Sequence, residues 1–477
     1  MKKAFSKDYS FLKCLLSGNG TTKNSYVNVA SRLVCHQIVG CSGVLKSTSF
    51  KPLSLKRKNP EAKCNEKPSA GNNPMRVYFS PCGIGLGHVG RCIPIAKRLQ
   101  EKNVEVMFST YQEGIRYVEQ EKLKLVKAPS IGFQVKPDGT IDFKQTTANP
   151  GPFFASFTLM KQVNAEIEAI ERFKPDVVVS DSRASPLVAA KILGIPRICI
   201  LNQFQVIIPR KKRFLRLAKF VDFMTLAIVG KMWTSGNIVL IPDFPQPYTI
   251  STGNLNIPKS YRKKVRLIGP ILSTHPHELP TQNELRKKLH LPFEKPVIFA
   301  PISGPIRERA FLTRILRKIL LDFPDKYNVI LSLGYPNADS KPILHGDSRI
   351  YKWIPNRFEY LKASDLVISR AGHGTLTQCM CYGKPMILVP TPSHTEQSNN
   401  AKQAQKLGVA DVIEQEKLTK QKLLKSVERI LESKTPEKLK EIQKDVLGYN
   451  GLEKAVSTIT EAATKPSTIE MKPNVLI

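Results

Sequence analysis

The chain has 477 residues, enough for two domains of ordinary size plus extensions, and 41% of them are hydrophobic. No apolar run approaches the roughly twenty residues that a membrane-spanning helix needs. The formal net charge of +34 is spread along the whole length, without zinc-ligand spacing, an RNA-binding aromatic pattern or a basic reading helix. That argues against nucleic acid as a partner and leaves a membrane surface or a diphosphate as the acidic one.

Residues 1–74 carry thirteen Lys/Arg against three acids, many Ser, Thr and Asn, and little hydrophobic periodicity. Such composition predicts no packed core. It suits a targeting peptide, although Lys-rich rather than Arg-rich, and it equally suits a start codon placed upstream of the true one at Met75. The nine cysteines are scattered. Their one tight pair, Cys379 and Cys381, falls within a predicted helix and lacks metal spacing, so buried free thiols in a reducing compartment are expected.

Order is predicted to begin at Met75. A strand at Arg76–Ser80 leads into Pro81-Cys82-Gly83-Ile84-Gly85-Leu86-Gly87-His88-Val89-Gly90-Arg91, then a helix over 92–102 and a strand over 104–109. Gly85, Gly87 and Gly90 satisfy the G-x-G-x-x-G dinucleotide pattern. That reading also needs an acid at the end of the second strand, where the chain has Phe108-Ser109-Thr110-Tyr111, so a nicotinamide or flavin dinucleotide is disfavoured. Val177–Ser180 is the next strand, followed by Asp181-Ser182-Arg183 and a helix from near Ser185. A carboxylate at the carboxyl end of a parallel strand faces the ligand crevice of an open sheet. From there Asp181 can reach His88 and fix its tautomer, or it can cap the following helix.

Residues 207–233 interleave seven cations with Phe, Leu, Ile and Trp233. A helix there either lies on a bilayer, cations towards anionic headgroups, or turns its apolar face to the core and its cations to water. Strands follow at Val239–Pro242 and Val297–Pro301, then a small-residue loop, Ile302-Ser303-Gly304-Pro305, able to face a diphosphate, and a helix over 307–320. Further strands are predicted at Val329–Leu333 and at Ile350–Ile354, the latter carrying Trp353, which is either a core residue or an aromatic plate for a nucleotide base.

Residues 365–401 carry the densest signal. A buried parallel strand, 365–369, is followed by Arg370-Ala371-Gly372-His373-Gly374-Thr375, with Thr375 as the N-cap of a helix over 376–382. Strand, glycine turn and helix start aim free N–H groups and partial positive charge at one spot, which suits a phosphate, and Arg370 adds a cation. After a strand at Met386–Val389 come Glu396, Gln397, Asn399 and Asn400, side chains able to hydrogen-bond sugar hydroxyls.

This stretch resembles the donor-nucleotide signature of GT-B glycosyltransferases, in particular the lipid II-forming N-acetylglucosaminyltransferases, the monogalactosyldiacylglycerol synthases and the UDP-dependent glucosyltransferases. The resemblance is specific at 83–91 and 353–401. It implies two Rossmann-like α/β domains facing each other across a cleft, an acceptor-side domain over 75–268 and a nucleotide-sugar domain over 269–462, with a loose tail at 463–477. It implies His88 as general base towards an acceptor hydroxyl, with Asp181 as its partner and Gly85 and Gly87 in the acceptor loop. On the donor side it implies Ser303, Gly304, Arg370, Gly372, His373, Gly374 and Thr375 at the diphosphate, Trp353-Ile354 at the base, Gln378 at the ribose, and Glu396-Gln397 at the sugar. At position 378 these families place a glutamate; glutamine cannot clasp two hydroxyls as an anion.

The expected activity is inverting transfer of a hexose or N-acetylhexosamine from a UDP-sugar to a hydroxyl, with no metal and no cofactor besides the sugar nucleotide as substrate. The basic-apolar run 207–233 points to a lipid or lipid-linked acceptor and to a cytoplasmic or peripheral membrane location, organellar if 1–74 is a transit peptide. Two other classes fit the same fold. A nucleotide-sugar epimerase would need carboxylate pairs around the sugar, which the sequence lacks. A non-catalytic donor-binding subunit is favoured by Gln378.

Overall fold

A computed structural model describes residues 74–130, 151–204, 230, 232–255 and 257–464, with side chains from Thr158 onward in the second stretch. The expectations for 1–73, for 465–477 and for most of the basic-apolar run 207–233 lie outside the described residues. At the end of that run Trp233 is core, packed with Leu187, Cys199 and Val239.

The first sheet contains β1 (Arg76–Pro81), β2 (Glu105–Thr110), β3 (Leu125–Lys127), β4 (Val177–Asp181), β5 (Arg197–Ile200), β6 (Ile238–Ile241) and β7 (Val265–Leu267) in the order β3-β2-β1-β4-β5-β6-β7. Every pairing is parallel. The strands are short apolar runs without polar alternation, as sheets covered on both faces require. Alternate residues serve opposite layers: Val77 and Phe79 pack with Val89, Ile95, Leu99, Val456 and Ile459, whereas Tyr78 and Val178 pack with Ile170, Phe173, Ala189 and Ala190.

The second sheet has β8 (Val297–Pro301), β9 (Asn328–Ser332), β10 (Ile343–His345), β11 (Ser348–Tyr351), β12 (Leu366–Ser369), β13 (Met386–Leu388) and β14 (Ala410–Val412) in the order β10-β11-β9-β8-β12-β13-β14. All pairs are parallel except the edge pair β10–β11. Both sheets therefore reverse strand order beside their first strand, between β1 and β4 and between β8 and β12. In open α/β sheets the ligand crevice lies beyond the carboxyl ends of the strands at that reversal.

Three sequence expectations change. The helix after the first glycine loop runs Gly87–Gln100 rather than from 92, so His88 and Arg91 share its first turns. The helix after β12 runs His373–Cys381 with Gly372 as N-cap, so Thr375 is inside it and caps nothing. The second domain also does not hold the chain to 462. Helix Gly451–Thr464 crosses back and buries Leu452, Ala455, Val456 and Ile459 against the first sheet, because its apolar stripe fits the groove beside helix Gly87–Gln100. The two chain crossings touch where Gly451 N–H donates to the Pro270 carbonyl, 3.2 Å.

Candidate active site

The loops after β1, β4, β5 and β6 face the loops after β8, β12 and β13, and polar side chains span the gap. His88, half-buried, places Nδ1 2.7 Å from Asp181 Oδ1. Asp181 is fully buried at the end of β4. Helix Ser185–Ile192 has no side-chain cap, so the alternative of a helix-capping Asp181 drops out. Arg91 grips the same carboxylate in a side-on fork, Nε to Oδ2 and Nη2 to Oδ1 at 2.6 Å. Burial works against the charge on Asp181, but Arg91 and His88 outweigh it and hold the carboxyl at about 2. An ionised carboxylate only accepts, so His88 Nδ1 carries the proton of that hydrogen bond. Nε2 is then the nitrogen with a free lone pair.

From this cluster the contacts continue into the second lobe. Arg91 Nη2 lies 3.5 Å from Asn202 Oδ1, and Asn202 Nδ2 donates to Glu396 Oε1 at 2.6 Å. Glu113 of the first lobe accepts from the Ile306 N–H at 2.7 Å, at the start of helix Ile306–Leu321; burial raises the pKa of its carboxyl. Gly85, at φ +70°, lies so close to the Gly304–Pro305 backbone that a Cβ there would be 3.4 Å from it. The glycine loops after β1 and β8 are thus in contact.

On the donor side, Gly372 and Gly374 border open space, with Gly374 exposed and Thr375 half-buried beside it. The first turn of helix His373–Cys381 has no side-chain cap; the Thr375 N–H is taken by the Gly372 carbonyl at 3.1 Å, which leaves those of His373 and Gly374 without a partner in their own helix. Ser303, Gly304 and Gln378 are half-buried. Gln397 is buried and its Oε1 accepts from the Thr391 N–H at 2.8 Å, which leaves its amide N–H groups for a ligand. Trp353 is half-buried with its ring edge-on to Tyr117 of the first lobe, and Ile354 is core.

Two donor-side expectations need correction. Arg370 does not present its fork to the crevice. It is buried, and its terminal nitrogens donate to the carbonyls of Val389 and Glu308 at 3.0 Å each, while burial lowers its pKa to about 10. It ties the loop together and acts on the crevice only through space. The His373 imidazole is likewise turned away: it is buried with Nε2 3.0 Å from Asp243 Oδ2 of the first lobe, so only its backbone remains for a ligand. Asp243 also accepts from the N–H groups of Phe244 and Ser251. Against the cost of burial, His373 and Ser251 keep its carboxyl below the usual range.

Arg91, Asn202, Asp243 and Glu113 carry no role in the sequence reading. Asn202 and Asp243 follow the ends of β5 and β6 just as Asp181 ends β4, so the strand-end rule that selected Asp181 selects them too. Arg91 stands three residues after His88, the same helix face, once the helix is started at Gly87.

Two matching sheets with their glycine loops in contact have the GT-B architecture, and the comparisons identify the chain as a glycosyltransferase of that fold. Residues 75–272 match the Glycosyl transferase family 1 domain, and residues 308–458 match the Glycosyltransferase family 28 C-terminal domain. An uncharacterized glycosyltransferase of Methanosarcina mazei is 27% identical over 390 residues, 81% of this chain and 98% of its own. The UDP-N-acetylglucosamine--N-acetylmuramyl-(pentapeptide) pyrophosphoryl-undecaprenol N-acetylglucosamine transferase of Lactobacillus acidophilus is 27% identical over 376 residues, 75% of this chain and 91% of its own. Among solved structures, the glycosyltransferase SnogD from Streptomyces nogalater superposes with a TM-score of 0.55 at 17% identity, over 82% of this chain and 100% of that one. Among the described residues no helix is long and apolar enough to cross a membrane.

Proposed function

We propose that this transferase moves a hexose or N-acetylhexosamine, with inversion, from a UDP-sugar to the hydroxyl of a lipid or lipid-linked acceptor. His88 Nε2 takes the acceptor proton as the hydroxyl oxygen attacks the anomeric carbon. The bond from that carbon to the diphosphate breaks, and UDP leaves with the electron pair. The first turn of helix His373–Cys381, through the backbone N–H groups of His373 and Gly374 and with the Thr375 side chain beside them, meets the charge building on the diphosphate. Ser303 and Gly304 border the diphosphate from the facing loop, and Trp353-Ile354 and Gln378 take the base and ribose. Glu396, with the free amide of Gln397, holds the sugar hydroxyls.

The observation that carries this reading is the continuous polar run from His88 through Asp181, Arg91 and Asn202 to Glu396. It supports the reading by linking the His88 imidazole of one lobe to the Glu396 carboxylate of the other. The UDP donor and lipid-linked acceptor follow the activity for which the Lactobacillus acidophilus relative is named.

The test is incubation with radiolabelled UDP-glucose, UDP-galactose and UDP-N-acetylglucosamine together with extracted lipids. Label is expected in the lipid fraction, and His88→Ala should cut turnover by roughly 10²–10⁴ while donor affinity is spared. Turnover equal to that of the unaltered protein removes His88 from the mechanism.

A further inference from the structure

Asn202 sits just beyond β5 and is 5% exposed. Its amide is caught between opposite charges that come from opposite lobes. Oδ1 faces Arg91 Nη2 at 3.5 Å, and Nδ2 donates to Glu396 Oε1 at 2.6 Å. An amide is the compact neutral group that offers an acceptor and a donor side by side, and only one of its two flips suits this pair of neighbours. Arg91 is itself locked, since its fork is closed on Asp181. Asn202 therefore cannot turn without breaking a bond to a charged group.

A carboxylate has two oxygens, and one of Glu396's is occupied by this amide. Its Oε2 is the oxygen left for a ligand hydroxyl. We propose that Asn202 is a positioning residue for the donor sugar: it fixes the Glu396 carboxylate so that Oε2 meets a sugar hydroxyl, and it ties that contact to the Arg91–Asp181–His88 cluster that would receive the acceptor. The assignment rests on the reading of Glu396 as the sugar-binding residue. It predicts that Asn202 distinguishes the sugar of the donor from its nucleotide, although it belongs to the lobe opposite the nucleotide.

The experiment titrates UDP and UDP-N-acetylglucosamine, UDP-glucose or UDP-galactose, whichever binds best, into the full chain by calorimetry. The quantity read is the ratio of the dissociation constant of the nucleotide sugar to that of UDP. Asn202→Ala should raise it about tenfold or more, the scale of a lost hydrogen bond to a charged group, with UDP itself within about twofold. Asn202→Asp keeps the shape of the side chain, and so tests the idea should the alanine variant fold poorly. It sets two carboxylates against each other and should raise the ratio further. Combining Asn202→Ala with Glu396→Gln should add less than twofold to Glu396→Gln alone. An unchanged ratio in both Asn202 variants, with Glu396→Gln raising it, overturns the role of Asn202 and leaves the transferase reading intact. An unchanged ratio in Glu396→Gln as well overturns the sugar assignment of Glu396, and a chain that binds none of the three nucleotide sugars overturns the transferase reading with it.

Discussion

Asp181 is fully buried between the Arg91 guanidinium and the His88 imidazole, and both facts bear on what the residue does. Its carboxyl sits at about 2, where burial alone would have pushed it upward, against about 3.9 for an unfolded aspartate. A folded-state value below the unfolded one adds stability that is fully present above the unfolded pKa and is lost as pH falls through the folded one. The full size is about 2–3 kcal/mol. The unaltered chain should therefore lose about 2 kcal/mol of unfolding free energy between roughly pH 5 and pH 2 that Asp181→Asn does not lose, measured by urea unfolding across that range. At neutral pH the variant should be the weaker protein, because Arg91 is left buried without its carboxylate. Its effect on turnover has another origin. An asparagine amide that donates to Nδ1 moves the imidazole proton to Nε2, which then cannot accept one, so turnover should drop about 10²–10⁴. Turnover of Asp181→Asn equal to that of the unaltered chain would mean that His88 does not work through this tautomer.

Helix His373–Cys381 is anchored by an apolar interior, Leu376, Cys379, Met380 and Cys381, all buried, with burial raising both thiol pKa values. Its start has only Gly372 as cap. Evolutionary pressure for stability alone would favour a Ser, Thr or Asp there, each better at holding a first-turn N–H. Gly374 has open space where a side chain would go, so Gly374→Asp adds an anion to the first turn without a clash. The substitution should stabilise the fold by about 0.5 kcal/mol and weaken UDP binding at least tenfold, because the new carboxylate takes the place proposed for the phosphates. A thermal melt and a UDP titration read the two signs; unaltered UDP affinity would move the diphosphate elsewhere. The missing side-chain cap also explains what the sequence hid. Strands such as Val177–Asp181 and Val297–Pro301 announce themselves as short apolar runs and fall within a residue of their expected limits. Both glycine-loop helices start earlier than expected, since Leu86 and Gly372 give no polar signal, and the late start at 92 concealed the pairing of Arg91 with His88. Arg370 was legible as a cation beside a helix start, but no local pattern says whether a guanidinium meets a ligand or two carbonyls. That depends on Glu308 and Val389, which stand 62 and 19 positions away.

The two lobes are joined twice, where the chain leaves the first sheet near 268–272 and where it returns into helix Gly451–Thr464. The return was the least legible part of the fold, because it depends on an apolar stripe finding a groove some 350 residues earlier in the chain. The two crossings run against each other with no side chain between them. A Cβ on Gly451 would stand 2.1 Å from the Gly269 carbonyl oxygen and 2.6 Å from that of Pro270. Both obstacles are backbone, so no rotamer change relieves them and one crossing must move. Gly269 cannot readily give way, being at φ +86° with Tyr449 packed where its own Cβ would go. Movement there shifts the helix that seals the first lobe and, with it, the registration of polar pairs that span the crevice, Asn202 with Glu396 and Asp243 with His373. Gly451→Ala should therefore cost about 3 kcal/mol or more in urea unfolding and lower transfer activity beyond the loss of folded protein. Gly448, three residues before, has nothing within reach of an added Cβ, and Gly448→Ala should stay within about 0.5 kcal/mol of the unaltered chain. Equal stability of the two variants would show that the crossing has slack, and that the lobes are held in register by the polar pairs across the crevice rather than by the backbone beneath it.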